Sequence, residues 1–257
     1  MKDNLDVFHL RKNIDYYSQN IQLQKPEATI LDLLKGTLKD MKMIDVGVGT
    51  GRTIPFFAPL VKEYTAVDYS SEMINYCRKK FEKFPAKINF GVADMRDMKE
   101  FNSESFDFVL ASYNCIDSFD QPYRDQAFKE MNRICRKGGI FCFSTHNIYS
   151  ITELYKFVLR KNLFEIFRTY VKRRKVMKLN EPFKDIMQKN SAFIIDGAHY
   201  FEFKNYYSKP SEHIKELLHY GFSNIQAFDL TYGNKMEDLN SLETSKDFYI
   251  YYLCSKG

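Results

Sequence analysis

No window of the 257-residue sequence approaches the roughly 18 uninterrupted apolar residues that a membrane-spanning helix needs. The opening residues, MKDNLDVFHLRKN, carry charge throughout and offer no apolar stretch of the signal-peptide kind, so no signal peptide is expected. Cysteine is sparse and odd in number: five residues, at 77, 115, 135, 142 and 254, with no CxxC. That pattern argues against a disulfide framework and reads as free thiols in a reducing, cytoplasmic setting. The five histidines, at 9, 146, 199, 213 and 219, are scattered without HxxxH or a facial triad, so no metal is expected. Internal repeats and low-complexity segments are missing as well. What is there is ordinary globular material, 44% hydrophobic and 28% charged, of a length that suits one domain with an elaborated cap.

The apolar pattern changes period along the chain. Residues 1–40 read as helices, with Pro26 suited to the first turn of a helix running through Leu38. Beyond them, short apolar strands (MKMIDVG, YTAVDYS, KINFGVADM, FDFVLASYN, IFCFSTHN) alternate with helical segments. TIPFFAPLV reads as a helix. Ser70 or Ser71 caps SEMINYCRKKFEKF, and Asp120 caps a helix over 121–137 with Gly138 or Gly139 past its end. The alternation predicts an α/β protein with a parallel, doubly wound sheet and helices on both faces. After Asn147 it stops. Residues 148–190 read as helical and basic, and AFIIDGAHYFEF as a hairpin turning at Asp196–Gly197. A helix (SEHIKELLHYGF), a strand (NIQAFDL), a polar loop through Ser245 and a last strand (DFYIYYLCS) follow.

The first strand runs into MIDVGVGTGR at 43–52, where Gly47, Gly49 and Gly51 let the backbone approach a ligand closely. A P-loop would need GxxxxGK[ST], which is absent. A dinucleotide fingerprint would need a third glycine at position 52, which is Arg52. The remaining pattern is GxGxG with an acidic residue shortly before it, here Asp45, two positions ahead of Gly47.

With three further matches in order, the sequence resembles the class I S-adenosylmethionine (SAM) dependent methyltransferases over residues 43–147 and, loosely, at the end of the chain. Asp68 ends the second strand, where the resemblance implies a carboxylate on the ribose diol; a carboxylate there disfavours a 2′-phosphate and hence NADP. Asp94 ends the third strand and resembles the family carboxylate on the adenine amino group, with Met95 against the ring. The helix before KGGIFCF completes the series. The resemblance implies a Rossmann-like seven-stranded sheet, an N-terminal helical lid (1–40), a SAM-binding core (41–147), a mostly helical cap inserted after strand five (148–208) and the end of the core (209–257), all one domain. It also implies SAM as cofactor. The residues expected around it are Tyr16 and Tyr17 from the lid, Asp45, Gly47, Gly49, Gly51 and Arg52 from the loop, and Asp68, Tyr69, Met73, Asp94, Met95, Ser112 and Tyr113.

Methyl transfer from a sulfonium is an in-line displacement, so positioning the acceptor and excluding water are the main demands. A hydroxyl acceptor also needs a base. His146, just past strand five, is the first candidate, because a histidine at that edge can take the proton; Asp117 and the hairpin His199 are the others. Neither [DNS]PP[YF] nor a Pro-Cys pair follows strand four, which removes the signatures of nucleic-acid amino- and cytosine methylation. Residues 151–180 carry nine Lys or Arg against two Glu, a net +7 in a chain of net +5. An amphipathic cap helix with a solvated basic face is one reading; neutralising an anionic small molecule, meeting an anionic membrane or tracking RNA are others. Membrane contact is not favoured, and nucleic acid is not expected. The resulting expectation is a methyltransferase acting on O or N of a small molecule, such as a sugar or specialised metabolite. RNA or protein methylation, or SAM binding without turnover, are the alternatives; oligomeric state is left open.

Overall fold

The computed structural model describes residues 14, 17–19, 21–154, 163–201 and 204–257. Helix α1 (Lys25–Leu34) begins where Pro26 fixes φ in the first turn and Glu27 reaches back to the Gln24 amide at 2.7 Å. There follow β1 (Lys42–Val46), α2 (Ile54–Phe57), β2 (Glu63–Asp68), α3 (Ser71–Lys80), β3 (Ile88–Val92), β4 (Phe106–Ala111), α4 (Gln121–Ile134) and β5 (Cys135–Asn147). The inserted segment holds α5 (Ile151–Leu154), α6 (Leu163–Leu179), α7 (Phe183–Ile186) and the strands β6 (Ser191–Ile194) and β7 (Asn205–Ser208). The chain returns through α8 (Pro210–His219), β8 (Phe222–Asp229), β9 (Lys235–Met236), α9 (Leu239–Thr244) and β10 (Tyr249–Lys256).

The sheet runs β3-β2-β1-β4-β5-β10-β8-β9. The pairs from β3 to β5 are parallel, while β10 lies antiparallel between β5 and β8. Strand order reverses between β1 and β4, so the loops leaving their carboxyl ends diverge and open a crevice. Side chains alternate across the sheet. Ile44 and Val46 join Val109, Phe128 and Phe141 on one face, and Met43 joins Ile30, Phe57, Ile74 and Phe108 on the other. Burial on both faces is why these strands read as near-continuous apolar runs. Phe128 alone packs against Phe141 at 6.2 Å and Phe143 at 5.3 Å, and burying such a ring contributes about 1.5–3 kcal/mol.

The doubly wound Rossmann-like sheet is as expected, but among the described residues the sheet holds ten strands rather than seven. The two-residue β9 extends one edge, and the β6–β7 hairpin attaches through β7 to the end of β5, pairing His146 with Tyr207 and Asn147 with Ser208. That hairpin does not turn tightly at Asp196–Gly197. Its strands are joined by residues 195–204, because Asp196 is drawn inward: it is buried and accepts from Asn205 Nδ2 and Tyr207 Oη at 2.8 and 2.9 Å. Two helices are also shorter than their periodicity suggests. α2 covers only Ile54–Phe57, and α4 ends at Ile134 because Cys135 turns extended and starts β5. The polar loop through Ser245 contains β9 and α9.

Candidate active site

The glycine loop leaves β1 and is tied to β2: the Gly47 and Val48 amides both donate to Val67 O, at 2.8 and 3.0 Å. Gly47, Gly49 and Gly51 have φ of 73°, 54° and 77°, a region costly for a residue with Cβ. Their surroundings differ. A Cβ on Gly51 would lie 2.4 Å from the Phe81 ring, so that glycine serves packing. A Cβ on Gly47 would come to 3.1 Å from Cys115 and 3.7 Å from Met95. Around Gly49 a Cβ would meet nothing within 4 Å, so this turn borders open space.

Two acidic residues steady the loop. Asp68 accepts from the Gly49 amide on Oδ2 and from the Ser70 amide on Oδ1, both at 2.9 Å. Ser70 in turn caps α3 by accepting from the amide of Met73, which is buried. Asp45 takes the loop-orienting of the two roles open to a carboxylate there. Its Oδ2 takes the hydroxyls of Thr53 and Tyr64, and it is buried, so it holds the loop rather than facing a ligand. Arg52 likewise turns away from the crevice floor. It forms a two-pronged pair with buried Glu27 of α1, with N–O distances of 2.5 and 2.6 Å, and reaches Ser112 Oγ at 3.1 Å. Its guanidinium lies 5.3 Å from the Tyr113 ring centre. Tyr251 donates to Glu27 at 2.9 Å, closing a cluster that pins α1 to both strands' ends.

Asp94 is held by Arg96, whose Nε and Nη2 bond its carboxylate at 2.9 and 2.5 Å. Burial pushes its pKa up, but the bonds and charge of Arg96 outweigh this and hold it below the usual carboxylate value. Arg96 also lies 4.7 Å from the Tyr123 ring centre, an arrangement the sequence did not foreshadow. Met95 is buried beside Gly47. Tyr69 follows Asp68 at the edge of β2. Tyr17 meets Tyr113 edge-on at 6.2 Å, bringing the N-terminal segment over the end of β4. Tyr16 and the side chain of His199 lie outside the described residues.

Past β4 the backbone is unusual. Tyr113 and Asn114 both have positive φ, 58° and 60°, which costs energy in residues other than glycine and is held here by the Asn114 amide bonding Ser144 Oγ at 2.9 Å. The turn delivers Asp117 beneath His146. Asp117 is wholly buried and accepts four hydrogen bonds: His146 N at 2.7 Å, His146 Nδ1 at 2.8 Å, Arg124 Nη1 at 2.7 Å and Thr145 Oγ1 at 2.8 Å. Burial pushes its pKa up, yet His146 and Arg124 together hold it below the ordinary value, so it stays an acceptor. Nδ1 of His146 must then carry the proton, which leaves the lone pair of the neutral ring on Nε2, 3.4 Å from Asn114 Nδ2. Asn114 Oδ1 is buried and has no hydrogen-bond partner. Rings of Tyr207, Phe248 and Tyr249 surround the imidazole at 4.6, 5.0 and 5.5 Å.

Behind this pair lies a polar network that sequence reasoning missed. Buried Arg124 also bonds Glu216 at 3.2 Å, Glu216 bonds His213 Nδ1 at 3.0 Å, and His213 Nε2 lies 3.1 Å from Thr145 Oγ1. Arg124 and Asp117 are seven residues apart and Glu216 far beyond, so no local spacing signals them. Asp117 therefore positions His146 and does not reach the crevice itself. Among the described residues no group of three or more His, Cys, Asp or Glu is arranged to hold a metal, and no helix is long and apolar enough to cross a membrane.

Comparison with known proteins bears on what such a crevice belongs to. A family model described as a methyltransferase domain matches residues 43–139. The phosphatidylethanolamine N-methyltransferase of Cereibacter sphaeroides is 34% identical over 108 residues, 41% of this chain and 50% of that protein. The chain spans about half the length of the curated relatives it matches. Among solved structures, a SAM-dependent methyltransferase from Clostridium acetobutylicum superposes with a TM-score of 0.61 at 19% identity, covering 91% of each chain. The 1,6-didemethyltoxoflavin-N1-methyltransferase of Burkholderia thailandensis, solved with 1,6-didemethyltoxoflavin and S-adenosylhomocysteine (SAH), gives a TM-score of 0.61 at 11% identity over 99% of this chain and 85% of that one. Residues 43–139, with their glycine loop, the carboxylate closing β2 and the reversed strand order between β1 and β4, match a methyltransferase domain, and the chain shares the fold of SAM-dependent methyltransferases of known structure.

Proposed function

We propose that this chain binds SAM in the crevice between β1 and β4 and transfers its methyl group to an oxygen or nitrogen of a small molecule, such as a sugar or specialised metabolite. The observation that carries this reading is the Asp117–His146 pair, which sits past β4 and at the carboxyl end of β5 with Asn114 next to it and Cys115 against Gly47. The residues of the loop suit the cofactor: Gly49 borders open space, and Asp68, bonded to the Gly49 amide, sets a carboxylate beside that turn for a ribose diol. Met95 offers an apolar surface to a base, and the expected contact from Asp94 to an adenine amino group requires exchange of one of its bonds to Arg96. The cofactor supplies a methyl group already activated on a sulfonium.

The chain's own residues do the rest. Tyr113, Tyr207, Phe248 and Tyr249 wall off water around His146 and favour a compact, partly apolar acceptor. The buried carbonyl of Asn114 suits an acceptor that brings an O–H or N–H. Nε2 of His146 takes the departing proton, and Asp117 stabilises the imidazolium so formed. His146→Ala should slow the chemical step by about 10²–10⁴-fold for a hydroxyl acceptor, and far less for an amine that binds neutral. SAH affinity should change little. Single-turnover transfer from labelled SAM, with an acceptor found by screening alcohols and amines, checks this; equal rates and pH profiles for both proteins would remove His146 from the mechanism.

A further inference from the structure

The apolar residues of α6 do not all face the protein. Its inward side is Ile166, Thr169, Arg173 and Val176, spaced as one helical face, with Val176 fully buried. Past the helix end, Asn180 bonds Ile195 O at 2.9 Å and accepts from Ile195 N at 2.8 Å. On the outward side Phe164, Phe167 and Val171 follow one another at i, i+3 and i+7, and they are 69%, 64% and 47% exposed. Exposed Arg168 and Lys178 continue the same side of the helix. Within α6 six Lys or Arg stand against one acid, Glu165. α6 therefore departs from a simple amphipathic helix: it carries a second apolar stripe, turned to solvent and set among cations.

We propose that this outer face of α6 docks on an anionic phospholipid surface, the rings entering the acyl boundary and the cations meeting headgroup phosphates. Two features favour a bilayer over other occupants. A second copy related by a twofold axis would set the cations of this face against their own kind. RNA would take the cations, but it offers little to an aliphatic Val171 in the same stripe. The helix is also braced for docking: Lys172 Cε lies against the backbone at Gly197, and the Lys175 ammonium sits 4.1 Å from the Phe201 ring centre. The loop that braces it leads into β7, whose Tyr207 packs on His146.

The test is co-sedimentation of the whole chain with phosphatidylcholine vesicles, with and without roughly 30 mol % phosphatidylglycerol. The anionic vesicles should bind at least about tenfold more tightly, and binding should weaken as salt rises. The exposed pair Phe164→Ser/Phe167→Ser should lower that affinity by about tenfold or more with an unchanged circular dichroism spectrum. If that variant misfolds, the lipid and salt dependence of the unmodified chain decides alone. No binding to anionic vesicles at low salt overturns the proposal, as does undiminished binding by the folded double variant. So does displacement from the vesicles by a tighter-binding RNA oligonucleotide, or a dimer in sedimentation that the substitutions abolish. None of these outcomes depends on methyl transfer.

Discussion

Asp45 stands two residues ahead of Gly47, yet its carboxylate turns inward to Thr53 and Tyr64. A motif records which residue type a position needs, and both a ligand contact and a buried brace can need a carboxylate, so the sequence alone could not separate the two. The difference is measurable. Burial raises the Asp45 pKa to about 6, although the two hydroxyls oppose the rise. The folded protein therefore holds that proton more tightly than the unfolded chain does. The stability it confers is complete below the unfolded value of 3.8 and is lost as pH rises through about 6. About 3 kcal/mol should go over that window. Asn keeps a carbonyl oxygen for both donors, so Asp45→Asn should flatten this part of the profile in urea titrations stepped from pH 4 to roughly 7. An unchanged slope would mean another group titrates there. Asp117 runs the opposite way: its depressed pKa confers stability above the ordinary carboxylate range, which is lost as pH falls. His146 was legible from its place after an apolar strand. Arg124, which pairs with Asp117 beneath it, was not, because helix α4 returns it to Asp117 only after the chain has folded.

At the scale of elements, the apolar pattern was informative where a strand is buried on both faces, as in β1, β4 and β5, or a helix on one, as in α3 and α8. It misled where tertiary bonds intervene. The Asp196–Gly197 pair reads as a tight turn, but Asp196 bonds across the hairpin and widens the connection. α6 reads as a helix with its apolar side inward, but its inward positions include Thr169 and Arg173, and two phenylalanines face out. Helix α1 was legible from Pro26, whereas its tie to the glycine loop through Glu27 and Arg52 was not. Removing Glu27 leaves a buried guanidinium unpaired, so Glu27→Ala should cost about 3–5 kcal/mol of unfolding free energy. Denaturant melts check this, and a loss below about 1 kcal/mol, the range of an exposed pair, would contradict it. Because α1 starts at Lys25, deleting residues 1–20 should spare the sheet while removing Tyr17 from Tyr113. We expect a native circular dichroism spectrum with weakened SAH binding; affinity equal to that of the whole chain would end the lid reading.

Taken as a whole molecule, the chain sets a parallel sheet with a switch point beneath an inserted cap that contributes Tyr207 to the wall of the candidate site. The core was legible because a doubly wound sheet repeats one local pattern five times. The cap follows no such repeat, and its contacts with the sheet join residues far apart in sequence. Every functional statement rests on the crevice accepting SAM, and calorimetric titration of SAH into the whole chain tests that most directly. Saturable binding is expected, weakened in Asp68→Ala by about 1.5–3 kcal/mol for the lost charged hydrogen bonds, with no heat from NAD. Absence of SAH binding at millimolar ligand, or binding of NAD in its place, would contradict it.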